Sequence, residues 1–313
     1  LVATPGRLQD FVDRHLVSLR KTEFLILDEA DRMLDMGFEP QIRKLVQRSG
    51  MPPPKSRQTF MFSATFPTPM QKLAREFLND YIWIGVGRVG STTSSITQRL
   101  VKATNNKREK MELLKSALLE KDEGARTLVF VKKKSTARWV SKQLRSRQGE
   151  FQISSAEIHG DRSQSQRESA LAAFRAGDIQ ILVATDVAAR GLDIDDVEHV
   201  INFDLGATAD EFDSYVHRIG RTGRAGKKGL ATSFYVPGYD KQIGCGPIAK
   251  DLLHLLKESK QEIPDWFMRL PEIASGGGGG KQKGSSAKFG GRDIRKNDKP
   301  SNKRTHDSSR PQG

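Results

Sequence analysis

The stretch that most constrains the fold of this chain is residues 24–31, which read FLILDEAD. Four apolar residues in a row are too few for a helix, and three carboxylates follow within four positions. This pattern is typical of a buried strand in a parallel sheet, which delivers its acids to the sheet edge where ligands bind. A nucleoside triphosphatase needs one carboxylate to hold magnesium through water and a second to orient or deprotonate the attacking water. Asp28 and Glu29 fit these two roles, although a strand that runs into an acidic helix cap would carry the same residues.

Length and composition indicate two ordinary domains and a tail, because 313 residues with 36% apolar content fill more than one core. The formal net charge of +14 predicts a polyanionic partner, nucleic acid before any other. Ten Lys and Arg against three Asp in residues 276–313 give +7 there, which is half of the excess. No apolar run approaches the roughly 18 residues of a membrane span. The single cysteine, Cys245, excludes an internal disulfide and favours the cytosol or nucleus.

Short apolar runs alternate with amphipathic helices along the chain, which predicts α/β architecture with parallel, doubly wound sheets. The predicted strands are 24–27, 58–62, 81–86, 100–101, 127–131, 153–158, 179–184, 200–203 and 230–236. The predicted helices are 8–17, 39–48, one capped by Thr68 that runs through Phe77, 107–119, 135–146, 163–176 closed by Gly177, and 248–259. The predicted domains are 1–87, which is the later part of a first sheet domain, a linker at 88–98, a second sheet domain at 99–271, and a disordered, basic tail at 272–313.

Residues 217–226, HRIGRTGRAG, form the strongest pattern of the second half. Arg221 and Arg224 are three positions apart and can point the same way, and the interleaved glycines allow close backbone approach. Two guanidinium groups on one target suit a triphosphate whose charge spreads in the transition state. A solvated basic loop is the alternative, but charge runs seldom carry glycines at such regular intervals.

Weaker polar patterns also follow strands, at the edge where ligands bind. In residues 184–194, Thr185 and Arg190 are suited to nucleic acid phosphates and Asp193 to ribose hydroxyls, although a capped helix with an Asp turn explains the segment equally well. Further groups of this kind are Thr4 to Arg7, Ser63 to Thr65, Leu128 to Val131 with the lysines at 132–134, and Gly160 to Arg162 leading to Gln164 and Arg167.

Taken in this order, the motifs resemble those of DEAD-box ATP-dependent RNA helicases of superfamily two, over residues 1 to about 271. Residues 28–31 match the name-giving motif of that family, and 63–65 match its coupling motif. Residues 4–7 match a first-domain RNA motif, and 128–131, 164/167, 184–194 and 217–224 match the second-domain motifs. Residues 81–98 and 262–266 are similar to the Belle and Vasa-like subgroup.

The resemblance implies two RecA-like domains, the first of them incomplete here, with ATP and Mg²⁺ in the cleft between them. Asp28 would hold the magnesium through water, Glu29 would activate the hydrolytic water, and Arg221 and Arg224 would act as arginine fingers. Asp193 would contact the ribose of the nucleotide. The residues implied to couple hydrolysis to RNA strain are Asp31, Ser63, Thr65 and His217. Those implied to hold the RNA backbone, with little sequence preference, are Thr4, Gly6, Arg7, Thr185, Arg190 and Gly191.

The chain departs from that family in one respect, because no G-x-x-x-x-G-K-[ST] phosphate loop occurs in the 313 residues. With Leu1 in place of a Met, this predicts a piece of a longer protein, inactive as an ATPase alone, with apolar faces exposed in its first sheet and a second domain that folds by itself. The function predicted for the intact protein is ATP-driven unwinding of short RNA duplexes or RNP remodelling in the cytoplasm, with the nucleus and RNP granules as further compartments. The alternative is a scaffold that binds RNA or a protein partner without nucleotide, and the sequence names no protein partner.

Overall fold

The structure, a computed structural model, forms two compact units, of which the first holds residues 1–30 and 39–85 and the second holds residues 31–38 and 95–274. Each unit alternates helices with parallel strands, so the predicted fold class of two α/β units is confirmed. Within these ranges, none of the helices is both long and apolar enough to span a membrane. The residues described are 1–66, 68–85, 95–120, 124–146, 153–189, 194, 197–206, 208–224, 226–240 and 243–274.

The first unit is built around two parallel strands, β1 (Phe24–Leu27) and β2 (Gln58–Met61). Leu27 pairs with Met61, so the carboxyl ends of the two strands lie side by side. Its helices are α1 (Pro5–Asp13), α3 (Glu39–Arg48) and α4 (Thr68–Phe77); the short α2 (Ala30–Asp35) begins in this unit, and its residues from Asp31 onward group with the second unit. The helices bury apolar stripes such as Ile42, Leu45 and Val46 on α3, as their spacing predicts.

The prediction that residues 24–27 form a buried strand is half right. The strand is parallel, but Phe24 is 60% and Ile26 is 61% exposed, and Phe60 and Phe62 are exposed as well. Parallel strands bury both faces only when helices cover both faces. Among the described residues of this unit, apolar side chains on one face of the two-stranded sheet are exposed, which agrees with the predicted exposure of apolar faces.

Three local predictions in the first unit need correction. Residues 81–85 form no strand, and Ile82 and Ile84 are exposed, because no neighbouring strand pairs with them in this unit. Helix α1 spans Pro5–Asp13 rather than 8–17, since Pro5 is favoured in the first helical turn and His15, at φ 57°, cannot continue the helix. Thr68 is the first residue of α4 rather than its cap.

The second unit contains a six-stranded, all-parallel sheet in the order β3-β8-β7-β4-β6-β5. Its strands are β3 (Ile96–Lys102), β4 (Thr127–Val131), β5 (Ser155–Ile158), β6 (Ile181–Thr185), β7 (His199–Asn202) and β8 (Gly229–Tyr235). Its helices, besides most of α2, are α5 (Lys107–Leu119), α6 (Lys134–Leu144), α7 (Gln164–Ala176), α8 (Asp186–Ala189), α9 (Ala209–Ile219), α10 (Ala249–Glu258), α11 (Asp265–Met268) and α12 (Pro271–Ala274).

The core of this unit lies on the central strands, and every residue of β4, β6 and β7 is buried. Leu128, Phe130, Leu182 and Val200 pack together with Phe174 of α7 in one apolar cluster. Continuous apolar runs of this kind are typical of strands covered on both faces. Helix α7 begins at a capping box on Ser163 and ends at Gly177, whose φ of 85° suits glycine, as predicted for its end.

Two predicted domain boundaries differ from the structure. Strand β3 begins at Ile96, inside the predicted linker 88–98, because residues 96–98 pair with β8. Helix α12 occupies Pro271–Ala274, although the tail was predicted to start at 272, because Glu272 is buried and accepts a hydrogen bond from the Gly238 amide at 2.5 Å. The remainder of the predicted tail, and residues 88–94 of the predicted linker, lie outside the described residues.

Candidate functional site

The acidic residues of the first unit occupy the junction between β1 and α2. Asp28 directly follows β1 and is exposed, and its Oδ1 accepts a hydrogen bond from the Glu29 amide at 2.9 Å. Glu29 is the next residue and is partly buried. The carboxyl end of the strand therefore presents two adjacent carboxylates, as the sequence pattern predicts.

Glu29 has a backbone conformation that its sequence does not predict. Its φ is 49°, in the left-handed region that residues with a side chain rarely adopt. Residues held in such a conformation cluster at active sites, where the surrounding structure imposes it. On one side of Glu29 the amide of Ala30 donates to the Phe62 carbonyl at 3.0 Å, and on the other the Leu27 carbonyl accepts from Phe62, which fixes both ends of the turn.

The segment that follows β2 lies beside this turn. Ser63 Oγ donates to the Thr65 carbonyl at 2.7 Å, and Thr65 is buried. Because Phe62 bonds to both Leu27 and Ala30, the structure brings the predicted coupling residues 63–65 next to Asp28 and Glu29, which we call the acidic turn, within the first unit. The same junction therefore carries candidates for both hydrolysis and coupling.

The predicted RNA-contact residues of the first unit surround the start of α1. Thr4 is the N-cap in extended conformation, and its side chain makes no capping bond to the helix. An alanine Cβ at Gly6 would meet nothing within 4 Å, so the backbone here is open to an approaching group. Arg7 is exposed, pairs with Asp10 at 3.4 Å and lies over the Phe11 ring. An open helix N-terminus with an arginine in its first turn suits a phosphate.

His217 and Asp31, both predicted as coupling residues, lie close together within the second unit. His217 Nε2 lies 3.5 Å from Asp31 Oδ2, and Asp31 is buried. The geometry is that of a charge contact when the imidazole is protonated rather than of a hydrogen bond. Beside this pair, Arg32 Nη1 donates to Ser214 Oγ at 3.1 Å, a contact that sequence reasoning missed.

Arg218 is the second residue that sequence reasoning missed. Its guanidinium makes two 2.6 Å bonds to the Asp186 carboxylate, and it also donates to the Asp204 carbonyl at 2.7 Å and to Asn202 Oδ1 at 3.3 Å. It lies 5.2 Å from the centre of the Phe130 ring and is buried. Arg218 therefore ties helix α9 to the carboxyl ends of β6 and β7.

The segment after β6 is held from a second side. Thr185 is the last residue of β6 and is buried at its carboxyl end. Arg167 of α7 donates to the Ala188 carbonyl at 3.3 Å and to Gln164 Oε1 at 3.3 Å. The structure thus brings Gln164 and Arg167 to the segment that Thr185 opens. Arg190, Gly191 and Asp193, predicted here, lie outside the described residues.

The arginine turn, which we define as residues 220–224, follows α9 directly. Arg221 is partly buried, and Arg224 is exposed with its Nε donating to the Gly220 carbonyl at 2.9 Å. Thr222 between them is buried, and its hydroxyl donates to the carbonyl of Val197 at 2.5 Å and lies 3.1 Å from that of Glu198. Both arginines are therefore carried by a turn that is fixed through the residue between them.

The donor set fits magnesium held through water by one carboxylate. In the described ranges, no group of three or more His, Cys, Asp and Glu side chains has the arrangement of a metal cluster. Magnesium in nucleotide sites keeps several waters and takes one or two carboxylates plus phosphates, so such a cluster is not needed. Asp28 is exposed and engages only Oδ1 in the bond to the Glu29 amide, which suits this kind of coordination.

Two family models match the chain. Residues 1–73 match the family described as DEAD/DEAH box helicase, and residues 109–226 match the helicase conserved C-terminal domain. The first match contains Asp28 and Glu29, and the second contains Thr185, His217, Arg221 and Arg224.

Several solved structures of other proteins resemble this chain. Saccharomyces cerevisiae Dbp5 bound to RNA and ADP BeF3 is 30% identical, with a TM-score of 0.66 over 84% of this chain and 63% of that chain. A form of the same protein bound to Gle1 and IP6 gives 31% identity and a TM-score of 0.58 over 84% of this chain and 64% of that one. The yeast DEAD-box splicing factor Prp28 gives 32% and 0.51 over 90% and 60%. The chain spans less than two thirds of the length of each of these proteins.

Proposed function

Because the chain carries both helicase segments of a DEAD-box protein of superfamily two, we propose that the intact protein hydrolyses ATP and uses the turnover to unwind short RNA duplexes or remodel RNA–protein complexes. The observation that carries the proposal is the pair of family matches, which hold the acidic turn in one segment and the arginine turn in the other. Asp28, Glu29, Arg221 and Arg224 together serve only hydrolysis, so a protein that binds RNA without nucleotide would not need them.

The roles of the first unit follow from its chemistry. Asp28 would hold magnesium through water, and the ion would neutralise charge on the phosphates of ATP. Glu29 would accept a proton from the attacking water, which requires a carboxylate fixed close to that water. The strained conformation of Glu29 supports this role, since it fixes the direction of the side chain at the strand end.

The roles of the second unit follow in the same way. Arg221 and Arg224 would stabilise the charge that develops on the transferred phosphoryl group, and Asp193 would contact the ribose. His217, Asp31, Ser63 and Thr65 would couple ATP hydrolysis to the strain on the bound RNA. The 3.5 Å distance between His217 Nε2 and Asp31 Oδ2 supports such a link.

RNA is the proposed partner, held by its sugar-phosphate backbone with little sequence preference. The residues proposed for this contact are Thr4, Gly6, Arg7, Thr185, Arg190 and Gly191. The net charge of +14 supports a polyanionic partner, and Dbp5, a structural neighbour, has been solved bound to RNA. We further propose that the protein belongs to the Belle and Vasa-like subgroup and acts in the cytoplasm, with the nucleus and RNP granules as further compartments.

The 313 residues alone are proposed to lack RNA-stimulated ATPase activity. The proposal is supported by the sequence, because no phosphate-binding loop of the form G-x-x-x-x-G-K-[ST] occurs among them. The same absence favours the alternative function, a scaffold that binds RNA without nucleotide.

One experiment separates the two functions. ATP hydrolysis by the intact protein would be measured with single-stranded RNA, with DNA of the same sequence, and with no nucleic acid. The helicase proposal predicts turnover that RNA stimulates and DNA does not. RNA binding that is unaffected by ATP, with no turnover under any condition, would establish the scaffold instead.

A further inference from the structure

The arginine turn is bound to the start of strand β3, at Ser95, a residue to which neither the predicted motifs nor the proposed function gives a role. Ser95 immediately precedes β3 and ends the Gly, Ser and Thr-rich stretch of the sequence. Its Oγ donates to the carbonyl of Gly223 at 2.8 Å. Gly223 lies between Arg221 and Arg224, so this bond reaches the middle of the arginine turn.

The backbone of Ser95 is attached to the edge of the six-stranded sheet, at strands β3 and β8. The Ser95 carbonyl accepts a hydrogen bond from the Gly229 amide at 2.9 Å, and the next residue, Ile96, pairs with Gly229 in the β3–β8 ladder. Ile96 is buried. The backbone of Ser95 is therefore fixed by the sheet, and its hydroxyl extends from that fixed point to the turn.

Gly223 packs closely against Ser95 and Ile96 at this edge. Its φ is 68°, and a Cβ at this position would lie 2.6 Å from Ile96 Cγ1 and 2.9 Å from Ser95 Oγ. A side chain would be strained twice there, by the backbone and by the contact. The close approach brings the Gly223 carbonyl within reach of the Ser95 hydroxyl.

The arginine turn is held on several sides: the amides of Arg221 and Thr222 donate to the carbonyls of Arg218 and Ile219, each at 3.1 Å. Thr222 is bound to the Val197 and Glu198 carbonyls on one side, and Gly223 is bound to Ser95 on the other. Rotation of the peptide that joins Gly223 to Arg224 would break the Ser95 bond and move the arginine that follows it. The Ser95 bond therefore holds the peptide that joins Gly223 to Arg224.

We propose that Ser95 is a positioning residue, which acts through Gly223 to hold Arg221 and Arg224 in the orientation used for ATP hydrolysis. The inference rests on the proposed function and adds to it a group outside the family motifs. Because the arginines are proposed to act on charge that develops in the transition state, loss of their orientation lowers kcat rather than the affinity for ATP or RNA.

The test uses the intact protein with the substitutions Ser95→Ala, Ser95→Thr and Ser116→Ala. Ser116 is the matched control, since its hydroxyl also donates to a backbone carbonyl, that of Glu112 at 3.0 Å, but on the exposed face of α5. Two experiments would be made: steady-state kinetics and binding, which give the RNA-stimulated kcat, the KM for ATP and the Kd for RNA, and amide hydrogen exchange over residues 220–230 without ATP.

The expected result for Ser95→Ala is a kcat lowered about 2- to 10-fold, the range that one neutral hydrogen bond accounts for. KM and Kd stay within about twofold, and exchange over residues 220–230 becomes faster. Ser95→Thr keeps the hydroxyl and retains most of kcat, and Ser116→Ala matches the wild type in both measurements.

Unchanged kcat in Ser95→Ala overturns the proposal, and so does faster exchange without a fall in kcat, because either result leaves Ser95 with a structural role at most. A wild-type protein without RNA-stimulated turnover overturns the proposed function itself. A wild type that turns over while Ser95→Ala turns over equally well overturns only the role of Ser95.

Discussion

At the scale of the residue, the acidic turn is the position where the structure adds most to the sequence. The FLILDEAD pattern predicts that two carboxylates stand at a strand end, and Asp28 and Glu29 do. The left-handed backbone of Glu29 could not be predicted, because Glu carries no preference for that conformation and the neighbouring residues that impose it come from β2. The strain there is a property of the fold rather than of the local sequence.

Replacing Glu29 by glycine is expected to raise the stability of the protein while it lowers the activity. The left-handed conformation destabilises the folded state by about 1–2 kcal/mol for a residue with a side chain, and glycine removes this strain. Glycine also makes the unfolded chain more flexible, which lowers the free energy of unfolding by about 0.4–1 kcal/mol. Glu29→Gly in the intact protein should therefore raise the free energy of unfolding slightly, by about 0.5–1 kcal/mol. Glu29→Gln should leave the free energy of unfolding unchanged.

Thermal and urea unfolding would measure the stability, and RNA-stimulated ATP hydrolysis the activity. Both Glu29 variants should lose at least about 100-fold in kcat if Glu29 is the base. Asp80→Gly is the matched control, since Asp80 also has a positive φ, of 40°, at a position given no catalytic role. Its turnover should stay normal. Normal turnover in Glu29→Gln would contradict the assignment.

Arg218 shows why the three arginines of one motif need not share a function. Sequence spacing selects Arg221 and Arg224 as the pair that can face one target, but it does not reveal the partners of Arg218, which lie just beyond the carboxyl ends of β6 and β7. A buried ion pair is costly to break, because the remaining charge stays buried without its partner.

Breaking the Arg218 pair is expected to destabilise the second unit strongly. Arg218→Met or Asp186→Asn alone should cost about 3 kcal/mol of unfolding free energy, the low end for buried pairs, because Asp186 is 24% exposed. The double variant should cost clearly less than the sum of the two. The exposed pair Arg138 and Asp161, 2.8 Å apart, is the matched control and should give about 0.2–1 kcal/mol. Equal costs for the two pairs, measured by urea unfolding, would refute this account.

At the scale of the element, the central strands were predictable and the edges of each unit were not. Short, mainly apolar runs located β4, β6 and β7 within two residues, because both faces of these strands are buried, and their few polar residues, such as Thr127, His199 and Asn202, are buried as well. Residues 81–85 carry the same kind of run but form no strand, since pairing depends on a neighbour that sequence periodicity does not reveal. The start of β3 at Ile96 was hidden by the small polar residues before it.

The end of β5 carries a buried histidine that makes the second unit sensitive to pH. His159 is fully buried, its Nδ1 accepts from the Asp161 amide at 3.3 Å, and its Nε2 has no partner in the described residues. Burial, and then repulsion from Arg138 and Arg162, hold the pKa of His159 below its ordinary value against the opposing attraction of Asp161 and Glu157. The native state therefore keeps the imidazole neutral.

The stability of the second unit is accordingly expected to fall as the pH falls below about 6.5, because the unfolded chain then binds a proton that the native state does not. The loss is at most about 1.4 kcal/mol per pH unit for one group. Urea unfolding at pH 7.0 and 5.5 would measure it. His159→Gln should flatten the dependence, and His254→Gln, on the exposed face of α10, should not. Equal slopes for the wild type and His159→Gln would contradict the prediction.

At the scale of the whole molecule, the two units differ in how completely they cover their sheets. The six-stranded sheet of the second unit has its central strands fully buried, whereas the first unit exposes Phe24, Ile26, Phe60 and Phe62 on one sheet face. The sequence predicted this difference, because no G-x-x-x-x-G-K-[ST] pattern occurs in its 313 residues. The positions of the exposed side chains required the structure.

Residues 88–274 expressed alone are therefore expected to fold, and residues 1–87 are not. Residues 88–274 should unfold cooperatively on heating and give dispersed amide NMR signals. Residues 1–87 should bind the dye ANS and lack dispersed signals, because their apolar sheet face stays in water. A cooperative transition in residues 1–87 would show that two strands and their helices form a sufficient core.

The proposed function depends above all on the role of the acidic turn in ATP hydrolysis by the intact protein. The most direct measurement is the RNA-stimulated kcat of the intact protein, compared between the wild type and Glu29→Gln. The account predicts turnover that RNA raises in the wild type and a loss of at least about 100-fold in the variant, with RNA binding retained. Equal turnover in the two proteins would contradict it.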